Sequence, residues 1–264
     1  MLILLLASCA TSNKGETGLL WIDDSLSCPL EDTTFTALSS PLSCEASPNL
    51  SQIDVLARTS LDQFVSSLPV TGQLTDDNGD GEINAQDTAD VLVVMTDGAD
   101  TSLNLLSADT LSTHWSANDT EFNGVIHSPH IGTQLAIGMA ELDSAVGIFG
   151  SLMPLGKSDV CYLGRWELDG RLSWIHTQTP IKCTETFPAI NDMDGDGHAE
   201  VLIDGALISA ESGTLLQKIE TTGGGVGYAT DLDNDGQREW LDGIAVRRSN
   251  GSPICETGAR IVFA

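Results

Sequence analysis

Asp192-Met193-Asp194-Gly195-Asp196-Gly197 sets three carboxylates on alternate positions of one short turn. Carboxylates held that close raise one another's pKa or force the turn open unless a cation lies between them. With Asp192 as position 1, acids fill positions 1, 3 and 5. Gly197 at position 6 permits a sharp bend, and Glu200 at position 9 returns as a further oxygen donor. Ca2+ takes about six to eight oxygens in a forgiving geometry, and the backbone carbonyl of His198 at position 7 would join the carboxylates. Mg2+ fits less well, because it gives up water reluctantly and rarely accepts an all-protein cage. The expected role of the ion is structural.

The pattern recurs. "DLDNDG" repeats it with Asp231, Asp233, Asp235, Gly236 and Glu239. "DDNGDG" supplies Asp76, Asn78, Asp80 and Gly81, and the "EINAQDTAD" that follows offers two ways to finish. Asp87, at position 12, would complete an EF-like loop of the kind found in a dockerin. Asp90 stands before "VLVV" as Glu200 stands before "VLI", and is preferred because no second helix follows. Both closures stay open.

Loops of this kind need rigid flanks. "TFPAINDMDGDGHAEVLIDG" (186–205) and "GVGYATDLDNDGQREWLDG" (225–243) read as strand, loop, strand, and "SLPVTGQLTDDNGDGEINAQDTADVLVV" (67–94) reads the same way with a longer loop. Each is followed by a hairpin signature: "LNLLSADTLSTHW" (103–115), "GALISAESGTLLQKI" (205–219) and "GIAVRRSNGSPIC" (243–255). A fourth unit, 131–154 with its hairpin at 162–176, keeps the frame and replaces the loop acids with Glu141-Leu142-Asp143. Only 50–68 carries a weak helical spacing. The expected fold is all-β: a β-propeller-like repeat of about four four-stranded blades over 63–262. Such a set would be a fragment, a partial propeller, or a ring closed by another copy.

"FPAINDMDGDGHAEVLI" and "GYATDLDNDGQREWLDG" resemble the FG-GAP or VCBS repeat of the integrin alpha-subunit β-propeller. "LTDDNGDGEINAQDTADVLVV" resembles it with an insertion. The resemblance implies that each loop joins the first two strands of a blade and binds calcium structurally. The departure is blade number, since integrin-like propellers commonly have about seven.

The amino terminus bears on location. "MLILLLASCA" is an apolar run too short to span a bilayer, and Leu6-Ala7-Ser8-Cys9 resembles a bacterial lipobox with Cys9 as the lipidated residue. A basic segment before the apolar run is lacking, and a plain cleaved signal peptide is the alternative. Residues 1–9 are thus expected to be a signal, 10–18 a tether and 19–62 an amino-terminal segment carrying Cys28 and Cys44. Ala10 after Cys9 favours the outer membrane or cell surface of a bacterium, with membrane contact only through the lipid. In an oxidising compartment Cys28–Cys44 and Cys161–Cys183 are the expected disulfides, leaving Cys255 over.

Eleven basic residues against 38 acidic ones give a formal net charge of -27. No basic face is available for nucleic acid or anionic lipid. The chain shows no G-x-S-x-G, HExxH or P-loop, and His114, His127, His130 and His176 are scattered. His127 and His130 form an HxxH, but Pro129 breaks any helix that would align the rings. The five tryptophans are expected to pack strands rather than line a glycan site. Three functions stand: a calcium-stabilised binding or adhesion module for a protein or glycan partner, a hydrolase or other carbohydrate-active enzyme on the same scaffold, and a dockerin-like assembly protein.

Overall fold

The computed structural model describes residues 63–139, 146–183, 187–218, 228–232, 236–241 and 245–256. The described elements are all strands, in the order β1 (Phe64–Val65), β2 (Val70–Gly72), β3 (Asp90–Thr96), β4 (Thr101–Ser107), β5 (Thr113–Ala117), β6 (Thr120–Phe122), β7 (Val125–Pro129), β8 (Ala136–Met139), β9 (Val146–Pro154) and β10 (Cys161–Glu167). They continue through β11 (Leu172–Ile181), β12 (Ala189–Asn191), β13 (Glu200–Ile203), β14 (Ala206–Ser209), β15 (Leu215–Lys218), β16 (Tyr228–Thr230), β17 (Glu239–Leu241), β18 (Ala245–Arg247) and β19 (Pro253–Glu256). Each blade is a four-stranded antiparallel meander: β2–β5, β8–β11, β12–β15 and β16–β19. The expected all-β, propeller-like architecture of four blades is what the described residues form.

Two additions were not read from the sequence. β1 pairs with the far end of β3, so the described end of the 50–68 stretch is strand, not helix. β6 and β7 form a hairpin that extends the β9 edge of blade 2. Its two-residue turn is Asn123-Gly124, both at positive φ, the turn chemistry that hairpins prefer.

Alternation along each strand sends one set of side chains to each neighbouring blade. Leu92, Val94, Leu103 and Leu105 of blade 1 meet Ile148, Leu152, Trp166 and Ile175 of blade 2. The opposite face of blade 2, with Phe149, Leu163 and Trp174, meets Val201, Ile203, Ala206 and Ile208 of blade 3. Leu202 and Leu207 on the far face of blade 3 meet Trp240 of blade 4. Inner strands also touch: a Cβ on Gly138 of β8 would sit 2.9 Å from Ile190 of β12, and Asn191 donates to the Ala229 carbonyl of β16 at 3.0 Å.

A second device joins the blades at their outer hairpins. Trp115 on β5 donates its indole N–H to the Leu168 carbonyl in the β10–β11 turn at 2.7 Å. Trp174 on β11 repeats this one blade on, donating to Glu211 in the β14–β15 turn at 3.0 Å. Gln217 on β15 takes the same role toward Asn250 in the β18–β19 turn at 2.8 Å. The blade 3 turn is held by two further side chains, Arg165 to the Ala210 and Glu211 carbonyls and His176 to Gly213. Gly170 and Gly213 sit at φ +82 and +70, and in both a Cβ would lie 2.7 Å from the tryptophan. Only glycine meets both demands. In blade 1, whose turn receives no tryptophan from an earlier blade among the described residues, Leu111 occupies the matching position at φ 56.

Cys161 and Cys183 are disulfide-bonded, with Cα atoms 5.0 Å apart, and tie the start of β10 to the end of β11. Cys28 and Cys44 lie outside the described residues.

Gly213→Ala is expected to destabilise the protein by about 1–3 kcal/mol, from left-handed backbone strain plus the clash with Trp174. Denaturant unfolding of the variant measures it, and an unchanged midpoint would remove the indole–turn contact as a blade clamp. Replacing Cys161 and Cys183 together by alanine is expected to cost about 3 kcal/mol in the same assay, from the freed 22-residue separation.

Candidate metal centre

In blades 1, 3 and 4 the second strand begins with an acid: Asp90, Glu200 and Glu239. All three are buried. A buried carboxylate must be hydrogen-bonded or neutralised. Each accepts the backbone N–H of the second residue past the first strand: Leu74 to Asp90 Oδ2 at 2.9 Å, Met193 to Glu200 Oε2 at 2.8 Å and Leu232 to Glu239 Oε2 at 2.7 Å. This bond folds the loop back across its own hairpin. Blade 2 starts the strand with Val146, and its loop lies outside the described residues.

Blade 3 gathers most of the expected ligands. Asp192 accepts the N–H groups of Gly195 at 2.7 Å and Gly197 at 3.1 Å through its two oxygens. Asp194 accepts from Asp196, and Asp196 from His198. Oxygens of Asp192, Asp194 and Glu200 lie within 4.8 Å of one another. Two oxygens bound to one Ca2+ at about 2.3–2.6 Å cannot be more than about 5 Å apart, so the three fit a shared ion. Burial pushes the Glu200 carboxyl up to about 7. The Met193 N–H opposes that shift, and the charges of Asp194, Asp196 and Asp192 add to it. Asp196 and His198 are exposed at the rim, where His198 Nδ1 lies 4.0 Å from a Glu211 carboxylate oxygen.

Blade 4 repeats the wrap, with Gly236 donating to Asp231 Oδ2 at 3.0 Å as Gly197 does to Asp192. Asp233 and Asp235 lie outside the described residues. Arg238, just before Glu239, donates to the backbone carbonyl of Asp192, so the two acidic loops are joined.

Blade 1 divides between two residues what Glu200 combines in one. Asp76 accepts from Gly79, Asp80 and Gly81, the wrap seen around Asp192. The carboxylate turned toward this loop is Asp87, which accepts the N–H of Asn84 at 2.7 Å and of Asn78 at 3.4 Å. Asp90 instead holds the strand base, accepting from Leu74 and the Thr75 hydroxyl. The 76–87 turn is thus closed by hydrogen bonds to Asp87, and the chain runs on directly into β3, as a blade loop does.

The structure also assembles groups that spacing does not reveal. His114 on β5 places Nε2 3.0 Å from Asp90 Oδ1 and 4.0 Å from Asp77 Oδ1. His114 follows Asp90 by 24 residues and Asp77 by 37, so only the register of the blade could have found the cluster. His130 of the HxxH lies against the Cys161–Cys183 disulfide, while His127 bonds to the Val125 carbonyl beside Tyr162. Burial holds both imidazoles below the usual histidine range. Cys9 and the segments 1–9, 10–18 and 19–62 lie outside the described residues.

No protein-family model matches the chain, and no curated protein matches it. Among solved structures, the Bacillus licheniformis rhamnogalacturonan lyase PL11 and the exotype rhamnogalacturonan lyase YesX are 12% and 11% identical at TM-score 0.31. They match over 66% of this chain and 51% and 50% of theirs, and superpose too poorly to carry an argument. The V. cholerae biofilm matrix protein Bap1 is similar at 26% identity and TM-score 0.53, over 72% of this chain. The match spans 30% of Bap1, so what this chain shares with it is one β-rich portion of a larger protein.

Proposed function

We propose that the chain is an exported, surface-associated adhesion module whose blade loops are held by structural calcium and whose exposed connections bind a protein or glycan partner. The convergence of Asp192, Asp194 and Glu200 within 4.8 Å carries the calcium part. Asp196 and the His198 carbonyl would join them, Asp231, Asp233, Asp235 and Glu239 would form the blade 4 site, and Asp76, Asn78, Asp80 and Asp87 the blade 1 site. The ion would supply charge compensation and nothing catalytic: it turns mutual repulsion among the acids into shared attraction. At extracellular affinities each site contributes about 0.4–1.4 kcal/mol when free calcium is one to ten times the dissociation constant.

Similarity to a biofilm matrix protein supports the adhesion part, and the lipobox-like Cys9 supports a place at the bacterial surface. Labelled protein added to a biofilm of the producing bacterium is expected to be retained in calcium and released by chelator. Equal loss to the medium under both conditions would remove the adhesion reading.

The raised Glu200 pKa gives a sharper test of the ion. Without metal, the folded protein binds a proton at Glu200 more tightly than the unfolded chain does, with a pKa of about 7 against 4.5. That contribution is complete below pH 4.5 and is lost as pH rises through about 7, on the order of 3 kcal/mol in all. In chelator, melting temperature is expected to fall between pH 5 and 8, and millimolar Ca2+, but not Mg2+, to abolish the fall. Glu200→Gln keeps an acceptor for Met193 but not the charge. It is expected to melt higher than the parent in chelator at pH 8 and lower in calcium. A variant that shifts the same way in both media would show that Glu200 serves no ion.

A further inference from the structure

Asp90 is 0% exposed. Its Oδ2 is saturated by the Leu74 N–H and the Thr75 hydroxyl, at 2.9 and 3.0 Å. Its Oδ1 is buried and receives no hydrogen bond. A carboxylate oxygen in that state carries a large desolvation cost unless a positive group meets it. His114 Nε2 stands 3.0 Å away without hydrogen-bond geometry, and Asp77 Oδ1 stands 4.0 Å from the same nitrogen. All three donor atoms lie within 4.8 Å of one another.

The other blades show why this cluster differs from the calcium loops. The residues immediately before and after Met193 are Asp192 and Asp194, whereas the matching residues around Leu74 are Gln73 and Thr75. The oxygens that would serve calcium beside the buried acid are therefore missing in blade 1. In their place come one carboxylate from the longer loop, Asp77, and one imidazole from β5. The residue matching His114 is Leu216 in blade 3 and Ser173 in blade 2, by the pairing of the adjacent Trp115, Gln217 and Trp174. The donor set changes from all oxygen to one nitrogen and two oxygens. Imidazole nitrogen selects borderline ions such as Zn2+ over Ca2+.

We propose that Asp77, Asp90 and His114 form a binding site for a divalent transition-metal ion of the Zn2+ class, adjoining the blade 1 acidic loop and sharing no ligand with the calcium sites. Zinc bonds of about 2.0–2.1 Å in a tetrahedron place ligands about 3.3 Å apart, and the 3.0 and 4.0 Å separations bracket that edge. Asp90 gives the buried, fixed ligand, since its other oxygen is locked to the backbone. Asp77 and His114 are partly exposed and close over it from the solvent side. Three protein ligands leave a fourth position for water or for a side chain of a partner.

Calorimetric titration of untagged protein with Zn2+, in millimolar calcium so that the acidic loops are filled, tests the site. One saturable equivalent is expected, weakened at least about tenfold by His114→Ala and by Asp77→Asn. Both side chains are at the rim, and a cooperative thermal melt like the parent's verifies that the variants fold. Zinc binding that survives His114→Ala would place the ion elsewhere and overturn the site. No binding by the parent, with stability alone reduced in His114→Ala, would reduce the cluster to a histidine–aspartate ion pair. Failure of the calcium reading leaves this test intact, because the acidic-loop ligands Asp192, Asp194 and Asp76 are not in the zinc set.

Discussion

A buried carboxylate at the foot of the second strand is the constraint on which each acidic loop depends. Asp90, Glu200 and Glu239 are all removed from water, and each takes the N–H of a residue on the opposite arm of its own hairpin. One bond of this kind recovers only part of the desolvation of a charge. The second oxygen must be met by a proton, a cation or another donor, and blades 1 and 3 offer different answers. In blade 3 burial drives the Glu200 pKa upward and the neighbouring acids add to the rise, so a proton is held at that carboxylate more tightly than usual. In blade 1 the neighbour is an imidazole, and the chemistry shifts with it.

The loops in turn stand on blades that recognise one another through two repeated contacts. Apolar side chains on alternate strand positions fill the space between sheets. At the rim, an indole or amide from the last strand seeks a turn carbonyl one blade on. The second contact converts a non-directional attraction into a fixed register, because a hydrogen bond tolerates little sliding and apolar area tolerates much. Arg238 adds a link at the loop end, from the blade 4 loop to the Asp192 carbonyl. The acidic loops of blades 3 and 4 are thereby joined through backbone.

Much of the fold was legible because its signals are local. Strand, acidic turn, strand and hairpin fall within about thirty consecutive residues in blades 3 and 4, and turn residues such as Gly195 and Gly213 mark the reversals. Equally local was the Asn123-Gly124 turn, which went unread because it belongs to an added hairpin and not to the repeat. The acidic cluster was legible where its spacing is set by one turn, as in Asp192 and Asp194. A cluster was illegible where strand register brings distant residues together. Asp77 and His114 lie in different elements, and nothing in their spacing announces a meeting at Asp90. Asp87 and Asp90 were rivals on paper because sequence shows where an acid stands and not which way its oxygens face. Hydrogen bonding gives each a separate task.

Strand length sets blades 3 and 4 apart from blade 2. The last three strands of blade 2 span nine, seven and ten residues, are stapled by the disulfide, and carry no DxDxDG loop. Blades 3 and 4 are built from strands of three or four residues. Ladders that short give few hydrogen bonds and little apolar burial per strand, and a sheet of that kind is marginal without help. An ion that clamps the loop between the first two strands lowers the entropy the hairpin must otherwise lose on folding. The long-strand blade draws its order from covalent and packing terms, and the short-strand blades have charge chemistry available in their place. In blades 3 and 4 the acidic loops therefore sit between the shortest strands, where binding a cation would change the stability of the fold most.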